Sequence, residues 1–357
     1  MSSMRMRTII VILSVVLIQL TGCSVNKDNK VSTPVNKDNV EAGIEVQDDT
    51  RVTIISPPIF SIYLSASPEN STVVGINSRS FSTANEKVLS ELYPGYKDIN
   101  TSFINNEFVV NTEELLKLSP DIIFYYGDNQ KNELDKLDVD SVDMMLSKNR
   151  DPEVMTIEWE KHLEESFNIT SENTIEKEWE TSNNKANELL KNNFTKKKGL
   201  YIFSYINGKV TVSGNDSYGD NFFNKAGIEN VAKGIDGCKE VSMEQIYEWN
   251  PDVVFIFLGI PATTIINNQT TNQDWSLIQA YKNKAIFDIP QATYSWGAPS
   301  ADSPIMPLWL ISKTYPDSLS RDDFITYLKG YYNRIYEIEL KDEIVEDILK
   351  PKKVKGK

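Results

Sequence analysis

Two stretches of the chain share one pattern: NTEELLKLSPDIIFYYG, residues 111–127, and SMEQIYEWNPDVVFIFLG, residues 242–259. In each stretch a glutamate stands seven residues before a Pro-Asp pair. A run of β-branched and aromatic residues, IIFYY in the first and VVFIF in the second, follows that pair. Such runs are typical of buried parallel strands. The repeat therefore predicts two similar α/β units in one chain.

A short helix is predicted before each Pro-Asp pair. Asn111 and Ser242 are favourable N-cap residues, and Glu114 and Gln245 stand three residues later, where a capping box places its glutamate or glutamine. Proline ends each helix because it lacks the backbone N–H and its ring clashes with the preceding turn. The repeated unit is therefore helix, Pro-Asp, strand.

A single long helix is predicted between the two units, over residues 170–197. The segment SENTIEKEWETSNNKANELLKNNF, residues 171–194, has acids near its start and contains neither glycine nor proline. The lysines at 196–198 have the charge that favours a helix C-terminus. The predicted fold class is α/β, with two similar Rossmann-like lobes that have central parallel sheets and are joined by one long α-helix. The lobes are expected at residues 51–169 and 198–349.

The N-terminus predicts export. Residues 1–22 begin with two arginines and no acid, and the apolar run Thr8–Leu20 has the length of a signal-peptide core rather than of a membrane span. The run ends in LTGC, which resembles the lipobox of bacterial lipoproteins and implies cleavage before Cys23 and acylation of its thiol. Residues 23–50 are polar and lack aromatics, which predicts a disordered tether. Residues 350–357 are expected to form a basic tail.

Composition excludes several functions. Removal of residues 1–22 changes the formal net charge from −14 to −16, which argues against nucleic-acid binding. His162 is the only histidine, so zinc sites built from several histidines and His-dependent catalytic triads are excluded. With Cys23 acylated, Cys238 has no disulfide partner, and we expect a buried, unreactive thiol. The chain is therefore not expected to be an enzyme. A surface glycosidase is the enzyme-class alternative, but it would leave the repeat unexplained.

The order of these segments resembles the class III periplasmic binding proteins, the iron–siderophore, haem and vitamin B12 binders of ABC importers. The resemblance covers about residues 51–337. Its landmarks are RVTIISPP at 51–58, VVGI at 73–76, the two repeated stretches, SGNDSYGDNFFNKAGIENVA at 213–232, DWSLIQAYKNKAIFDIP at 274–290 and WGAPSADSPIMPLWLISKTYP at 296–316. One departure concerns the loop after the first strand, where the family often has an acid and this chain has none before Glu69.

The resemblance implies a partner and a location. Glu113 and Glu244 match the glutamates that dock into arginines of the permease, one in each lobe. A purely local alternative is that each complements a helix dipole, worth about 0.3–1 kcal/mol. The expected partners are the permease dimer, its ATPase and the outer face of the cell membrane through the lipid anchor. A monomer is expected, with no cofactor, no metal bound by protein side chains and no nucleic acid.

Ligand contacts are expected from loops at the strand ends that face the cleft between the lobes. Only one of two consecutive tyrosines is expected to face the cleft, because side chains alternate along a strand. The arginine is expected to pair with an anionic group of the ligand. The candidates are Pro58, Arg79, Tyr125, Tyr126, Asn215, Tyr218, Tyr294 and Trp296.

The expected ligand is a ferric siderophore or a similar metal chelate, because aromatic side chains suit a bulky, partly apolar molecule. A corrinoid or haem is the second interpretation. A bare oxyanion such as molybdate is the third, and it would require more hydrogen-bond donors than apolar walls. The single helical linker predicts that the lobes close by only a small angle.

Overall fold

The computed structural model describes residues 49–145, 150–191, 195–271 and 273–351. The predicted signal peptide, Cys23, almost all of the predicted tether and residues 352–357 of the predicted tail lie outside these ranges. Within the described ranges, no helix combines the length and apolar character needed to cross a membrane.

The N-terminal lobe is built on a four-stranded sheet in the order β2-β1-β3-β4, with all neighbouring strands parallel. The strands are β1 (Thr50–Ile54), β2 (Ser71–Ile76), β3 (Ile122–Tyr125) and β4 (Asp140–Asp143). Its helices are α1 (Ile59–Ala66), α2 (Arg79–Ser82), α3 (Glu86–Leu92), α4 (Thr112–Lys117) and α5 (Asp128–Leu134), with a short 3-10 helix at Tyr96–Asp98. All four residues of β3 are buried, as expected for a strand covered on both faces.

Two helices follow β4 along the chain, and the second of them lies in the range where a single linker helix was predicted. They are α6 (Pro152–Phe167) and α7 (Ile175–Leu189). The prediction of one long helix over residues 170–197 is therefore wrong in length. Helix α7 begins after Thr174, whose side chain caps the backbone N–H of Lys177. It is also capped from a distance, because the buried carboxylate of Glu160 in α6 accepts the backbone N–H of Ile175 at 2.9 Å.

The C-terminal lobe has a six-stranded mixed sheet, with the path β10-β9-β5-β6-β8 and β7 paired to β5. Its strands are β5 (Lys198–Ile206), β6 (Lys209–Ser213), β7 (Glu229–Asn230), β8 (Cys238–Val241), β9 (Val253–Gly259) and β10 (Ile286–Asp288). Its helices are α8 (Tyr218–Lys225), α9 (Met243–Trp249), α10 (Ala262–Ile266) and α11 (Gln279–Lys282), with a 3-10 helix at Trp275–Leu277. The α/β class with two lobes is confirmed, and strand β6 departs from the parallel pattern because it pairs antiparallel with β5 and β8.

The repeated Pro-Asp pair has the same structural role in both lobes. The carboxylate of Asp121 accepts the backbone N–H of Arg51 at 2.7 Å, and the carboxylate of Asp252 accepts that of Lys198 at 2.9 Å. The backbone N–H of each aspartate returns a hydrogen bond of 2.8 Å to the carbonyl of the same partner. Each aspartate therefore fixes the register between the strand that follows it and the first strand of its lobe.

The end of the chain returns to the N-terminal lobe. It contains a 3-10 helix at Ser303–Ile305 and the helices α12 (Met306–Thr314), α13 (Arg321–Tyr336) and α14 (Asp342–Leu349). Helix α14 lies against α3, where Asp347 forms a 2.8 Å ion pair with Lys87. The backbone of Ala292 accepts a hydrogen bond from Asn85 at 2.7 Å, so the last loop also contacts the N-terminal lobe.

The predicted burial of Cys238 is wrong. Its side chain is exposed on β8, because this strand lies at the edge of the sheet. His162 lies on the surface of α6 with 42% of its side chain exposed.

Candidate functional site

A cavity of about 370 Å³ opens between the two lobes. Its volume falls within the range of about 300–1,000 Å³ that is usual for small-molecule sites. Its walls come from the N-terminal lobe, helix α6 and the C-terminal lobe. The lining residues are Ile55, Ser56, Pro57, Pro58, Glu107, Phe108, Tyr126, Asn129, Gln130, Met155, Trp159, Tyr218, Tyr294, Ala298 and Pro299.

The fold places these side chains at the cavity through the ends of its strands. Residues 55–58 follow β1, and Tyr126 follows β3, so both lie at the carboxyl edge of the parallel sheet. Met155 and Trp159 are four residues apart in α6 and therefore share one face of that helix. Tyr218 is the first residue of α8. The cavity thus draws on each lobe and on the first of the two connecting helices.

The wall formed by Trp159 is held in place by its indole. The Nε1–H donates to the backbone carbonyl of Met144 at 2.6 Å, and the ring lies edge-on to Tyr126 with their centroids 6.2 Å apart. The hydrogen bond and ring contact fix the orientation of both aromatic side chains before any ligand arrives.

Residues 289–303, the last loop, carry Tyr294, Ala298 and Pro299 to the cavity and are fixed by a buried carboxylate. Asp302 is fully buried and accepts hydrogen bonds from the backbone N–H and hydroxyl of Thr293, at 3.0 and 2.6 Å, and from the hydroxyl of Tyr336 at 3.0 Å. Burial raises the pKa of Asp302, while its hydrogen bonds with Thr293 and Tyr336 oppose that rise. The loop position of Tyr294, next to Thr293, therefore depends on Asp302.

Three tyrosines of the cavity lie close enough to influence one another electrostatically. Burial, reinforced by Tyr218, raises the pKa of Tyr126 to about 12. Burial also raises the pKa values of Tyr218 and Tyr294. The positive charge of Arg150 opposes the rise for Tyr126 and Tyr218, and that of Arg79 opposes it for Tyr294. At neutral pH the three hydroxyls are protonated and can donate hydrogen bonds, with two arginines nearby.

Phe108 lines the cavity from an unusual backbone conformation. Its φ angle is 62°, in the left-handed region, which costs a residue with a side chain about 1–2 kcal/mol. The guanidinium carbon of Arg79 lies 4.8 Å from the centre of the Phe108 ring, a cation–π arrangement. Arg79 also donates from Nη2 to the backbone carbonyl of Asn106 at 2.9 Å. Arg79 therefore acts on the cavity through the turn that carries Phe108.

The structure brings four of the predicted ligand-binding residues to the cavity: Pro58, Tyr126, Tyr218 and Tyr294 line it. Arg79 is not part of the lining, but it stacks on a residue that is.

Three predicted contacts lie elsewhere. Tyr125 is 2% exposed and packs on the opposite face of β3, since side chains alternate along a strand. Asn215 is exposed and is not part of the lining. The placement of Trp296 in the cleft is wrong, because its side chain is fully buried with its ring centroid 6.5 Å from that of Trp309 and 6.3 Å from that of Phe324.

Several cavity residues were not predicted, chiefly Phe108 and the α6 pair Met155 and Trp159. The four-residue spacing of that pair was a usable signal, because it places two large apolar side chains on one helical face. No comparable sequence signal marks Phe108, since its role depends on a local turn and on Arg79.

The two predicted docking glutamates occupy equivalent positions. Glu113 in α4 and Glu244 in α9 are exposed first-turn residues, and both helices begin at the predicted N-caps. Asn111 accepts the backbone N–H of Glu114 at 3.2 Å, and Ser242 accepts that of Gln245 at 3.3 Å. Hydrogen bonding from its own backbone N–H, and then from the Ser242 hydroxyl, lowers the pKa of Glu244. This carboxylate is thus ionised at neutral pH.

The described ranges contain no group of three or more histidine, cysteine, aspartate or glutamate side chains arranged to hold a metal ion. The arrangement around the cavity is instead an aromatic enclosure with tyrosine hydroxyls and neighbouring arginines. Such a site can enclose a partly apolar, negatively charged solute.

Comparisons with known proteins agree with this architecture. The sequence profile of the family described as "Periplasmic binding protein" matches residues 104–293. The molybdate-binding protein MolA of Haemophilus influenzae is 26% identical over 260 residues, covering 66% of this chain and 72% of that protein. The Fe(3+)-citrate-binding protein YfmC of Bacillus subtilis is 30% identical over 79 residues, 22% of this chain and 25% of that protein.

Among solved structures, a periplasmic solute binding protein from Veillonella parvula superposes with a TM-score of 0.69 at 25% identity. The match covers 85% of this chain and 92% of that one. Binding proteins of this family are extracytoplasmic and work with an ABC transporter permease and its ATPase, and these homologues are solute-binding proteins rather than enzymes. The profile match, the two-lobed α/β fold and the cavity between the lobes lead to one conclusion: the chain belongs to the periplasmic binding protein family, as a class III substrate-binding protein of an ABC importer.

Proposed function

We propose that this protein is a lipid-anchored receptor that captures a metal chelate of the iron–siderophore type and delivers it to its permease. The observation that carries the proposal is the cavity, where Phe108, Tyr126, Trp159, Tyr218 and Tyr294 supply aromatic walls. Aromatic walls bury the flat organic part of a chelate with little loss of conformational entropy.

The charges around the cavity favour an anionic ligand. Arg79 and Arg150 influence the cavity tyrosines electrostatically, and Glu107 is the only acid among the described residues that line the cavity. Ferric chelates of catecholates and carboxylates present anionic oxygens that arginine and tyrosine can contact. Because the chelator itself supplies the metal ligands, capture does not require a metal cluster on the protein.

A bare oxyanion is the second candidate, favoured by the similarity to the molybdate-binding protein of Haemophilus influenzae. A small tetrahedral anion needs hydrogen-bond donors on every side. The lining does offer side-chain donors, on Ser56, Asn129, Gln130 and the three tyrosines, but these donors stand among rings and aliphatic groups such as Ile55, Pro57 and Met155 rather than forming a cage. A chelate with an organic surface fits these walls better than an anion fully coated with oxygens does.

The direct test is tryptophan fluorescence of the soluble domain, titrated with ferric siderophores, ferric citrate, haem, cobalamin and molybdate. A ferric chelate is expected to quench saturably, and Trp159→Phe should remove most of the quenching because this indole lines the cavity. Trp296→Phe is the matched control, since Trp296 is fully buried elsewhere. Calorimetry on both variants separates lost signal from lost binding. Saturable binding of molybdate alone would refute the chelate assignment.

Docking has a separate test. The double variant Glu113→Lys, Glu244→Lys should abolish uptake and leave ligand affinity unchanged, because both side chains are exposed and neither lines the cavity. A control with Glu114→Lys and Glu248→Lys alters the same helices at other positions. Lost affinity in the first double variant, or equal loss of uptake in both, would contradict the docking role.

A further inference from the structure

Phe108 combines a place in the cavity wall with a strained backbone. Its ring lines the cavity, and its φ angle is 62°. Positive φ is an outlier for a bulky side chain, and such conformations persist only where the surrounding structure enforces them. A glycine would adopt this conformation without strain. The presence of phenylalanine therefore calls for a reason that concerns its ring.

The 105–109 turn enforces the conformation through Asn105. The side-chain carbonyl of Asn105 accepts the backbone N–H groups of Glu107 at 3.0 Å and Val109 at 2.9 Å. The backbone of Asn105 accepts the N–H of Phe108 at 3.1 Å and donates to the carbonyl of Val109 at 3.1 Å. Four hydrogen bonds thus converge on one residue and close the turn that presents Phe108.

Arg79 fixes the ring itself. Its guanidinium carbon lies 4.8 Å from the ring centre, and its Nη2 donates to the carbonyl of Asn106 at 2.9 Å, within the same turn. The arginine therefore holds both the backbone and the ring of the turn. An aromatic surface held in this way loses little freedom when a ligand contacts it.

We infer that Phe108 is a specificity-determining residue, which selects chelates with a flat aromatic face over compact hydrophilic chelates of the same metal. This inference rests on the proposed function and deepens it. The ring meets the aromatic part of the chelator, and Arg79 beside it places a positive charge near the anionic oxygens. The backbone strain is retained because only this conformation presents the ring to the cavity.

The test compares two chelates of one metal, ferric 2,3-dihydroxybenzoate and ferric citrate, by calorimetry. Wild type and Phe108→Tyr should prefer the aromatic chelate. Phe108→Ala and Phe108→Gly should lose about tenfold in affinity for it, about 1.4 kcal/mol, with at most about a twofold change for ferric citrate. Equal losses for the two chelates, or no loss for either, would overturn the inference while leaving the proposed function in place.

The same two variants test the strain. Alanine is usually more stable than glycine, because glycine gains more freedom in the unfolded chain. At positive φ the order reverses, so Phe108→Gly should unfold at a higher urea concentration than Phe108→Ala. The opposite order would overturn the claim that the backbone is strained to present the ring. If wild type binds a ferric siderophore in the fluorescence titration but not the ferric dihydroxybenzoate, the inference fails and the proposed function stands. Failure to bind any ferric chelate of that titration would refute the proposed function, and the inference with it.

Discussion

Replacing Glu160 with glutamine should make the protein more stable at alkaline pH. The Glu160 side chain lies in α6, is 2% exposed, and accepts the backbone N–H of Ile175 with both carboxylate oxygens. Burial, with repulsion from Glu164 and Glu176, raises the pKa of Glu160 from 4.5 to about 7 against the opposing effect of its backbone hydrogen bonds. The charged form is therefore disfavoured in the folded protein.

The sign of the effect follows from proton binding. Below pH 4.5 Glu160 is protonated in both states, and its contribution to stability is fully present. As pH rises from 4.5 to 7 the unfolded chain releases this proton first, so the free energy of unfolding falls. Above pH 7 the loss levels off at about 3 kcal/mol, from a pKa difference of about 2.5. Glutamine keeps an acceptor for Ile175 and carries no charge.

Urea unfolding between pH 5 and pH 8.5 measures the effect. The stability difference between Glu160→Gln and wild type should grow in favour of the variant by about 2–3 kcal/mol across this range. Glu188→Gln, an exposed acid in α7, is the control and should show no such trend. A difference that stays constant from pH 5 to pH 8.5 would refute the reasoning.

Substitutions at three further sites, Asp302, Gly259 and the Glu178–Arg334 pair, test packing and charge by urea unfolding. Asp302→Ala should cost about 3 kcal/mol, since three buried donors lose their acceptor, and Asp302→Asn should cost less; equal costs would contradict this. Gly259→Ala should cost about 2 kcal/mol or more, because φ is 100° and the added Cβ would lie 2.0 Å from the carbonyl oxygen of Tyr205; an unchanged urea midpoint would refute it. Glu178→Gln should cost about 1–2 kcal/mol of unfolding free energy by weakening its two-bond ion pair with Arg334. If Arg334→Gln lowers the stability of the Glu178→Gln variant as much as it lowers that of wild type, the two residues do not act as a pair.

The parts of the fold that depend on local chemistry were predictable from sequence. Asn111 and Ser242 cap their helices as expected, and IIFYY and VVFIF form strands β3 and β9. Capping and strand preference depend on residues only a few positions apart. The repeat made the prediction of this unit firmer, since the same pattern occurs twice in the chain.

The length of the connecting helix was not predictable in this way. Residues 171–173 look like the start of a helix, but α7 begins only after Thr174. The carboxylate that completes its cap belongs to Glu160, fifteen residues earlier and on another helix. Local sequence does not reveal a cap supplied through tertiary packing.

In the candidate site, too, local sequence predicted some residues correctly, and tertiary packing decided the others. Tyr126 and Tyr294 were predicted because they follow strand and loop signals, and they line the cavity. Trp296 also stands in a predicted loop, beside Gly297 and Pro299. Its ring is nevertheless covered by Trp309 and Phe324, which belong to two later helices. Which large side chain in a loop is covered depends on elements far along the chain, so the sequence pattern alone favoured the wrong tryptophan.

The return of the chain end to the first lobe has a consequence for folding. The backbone N–H of Ala301 donates to the hydroxyl of Ser61, 240 positions earlier, and Asp347 pairs with Lys87 on α3. Contacts this distant in sequence form slowly, because a long loop must close before they contribute. The first lobe therefore completes its packing only after the segment that carries Ala301 and Asp347 has folded against it. The binding cavity, which needs Tyr294, is likewise assembled only after these long-range contacts have formed.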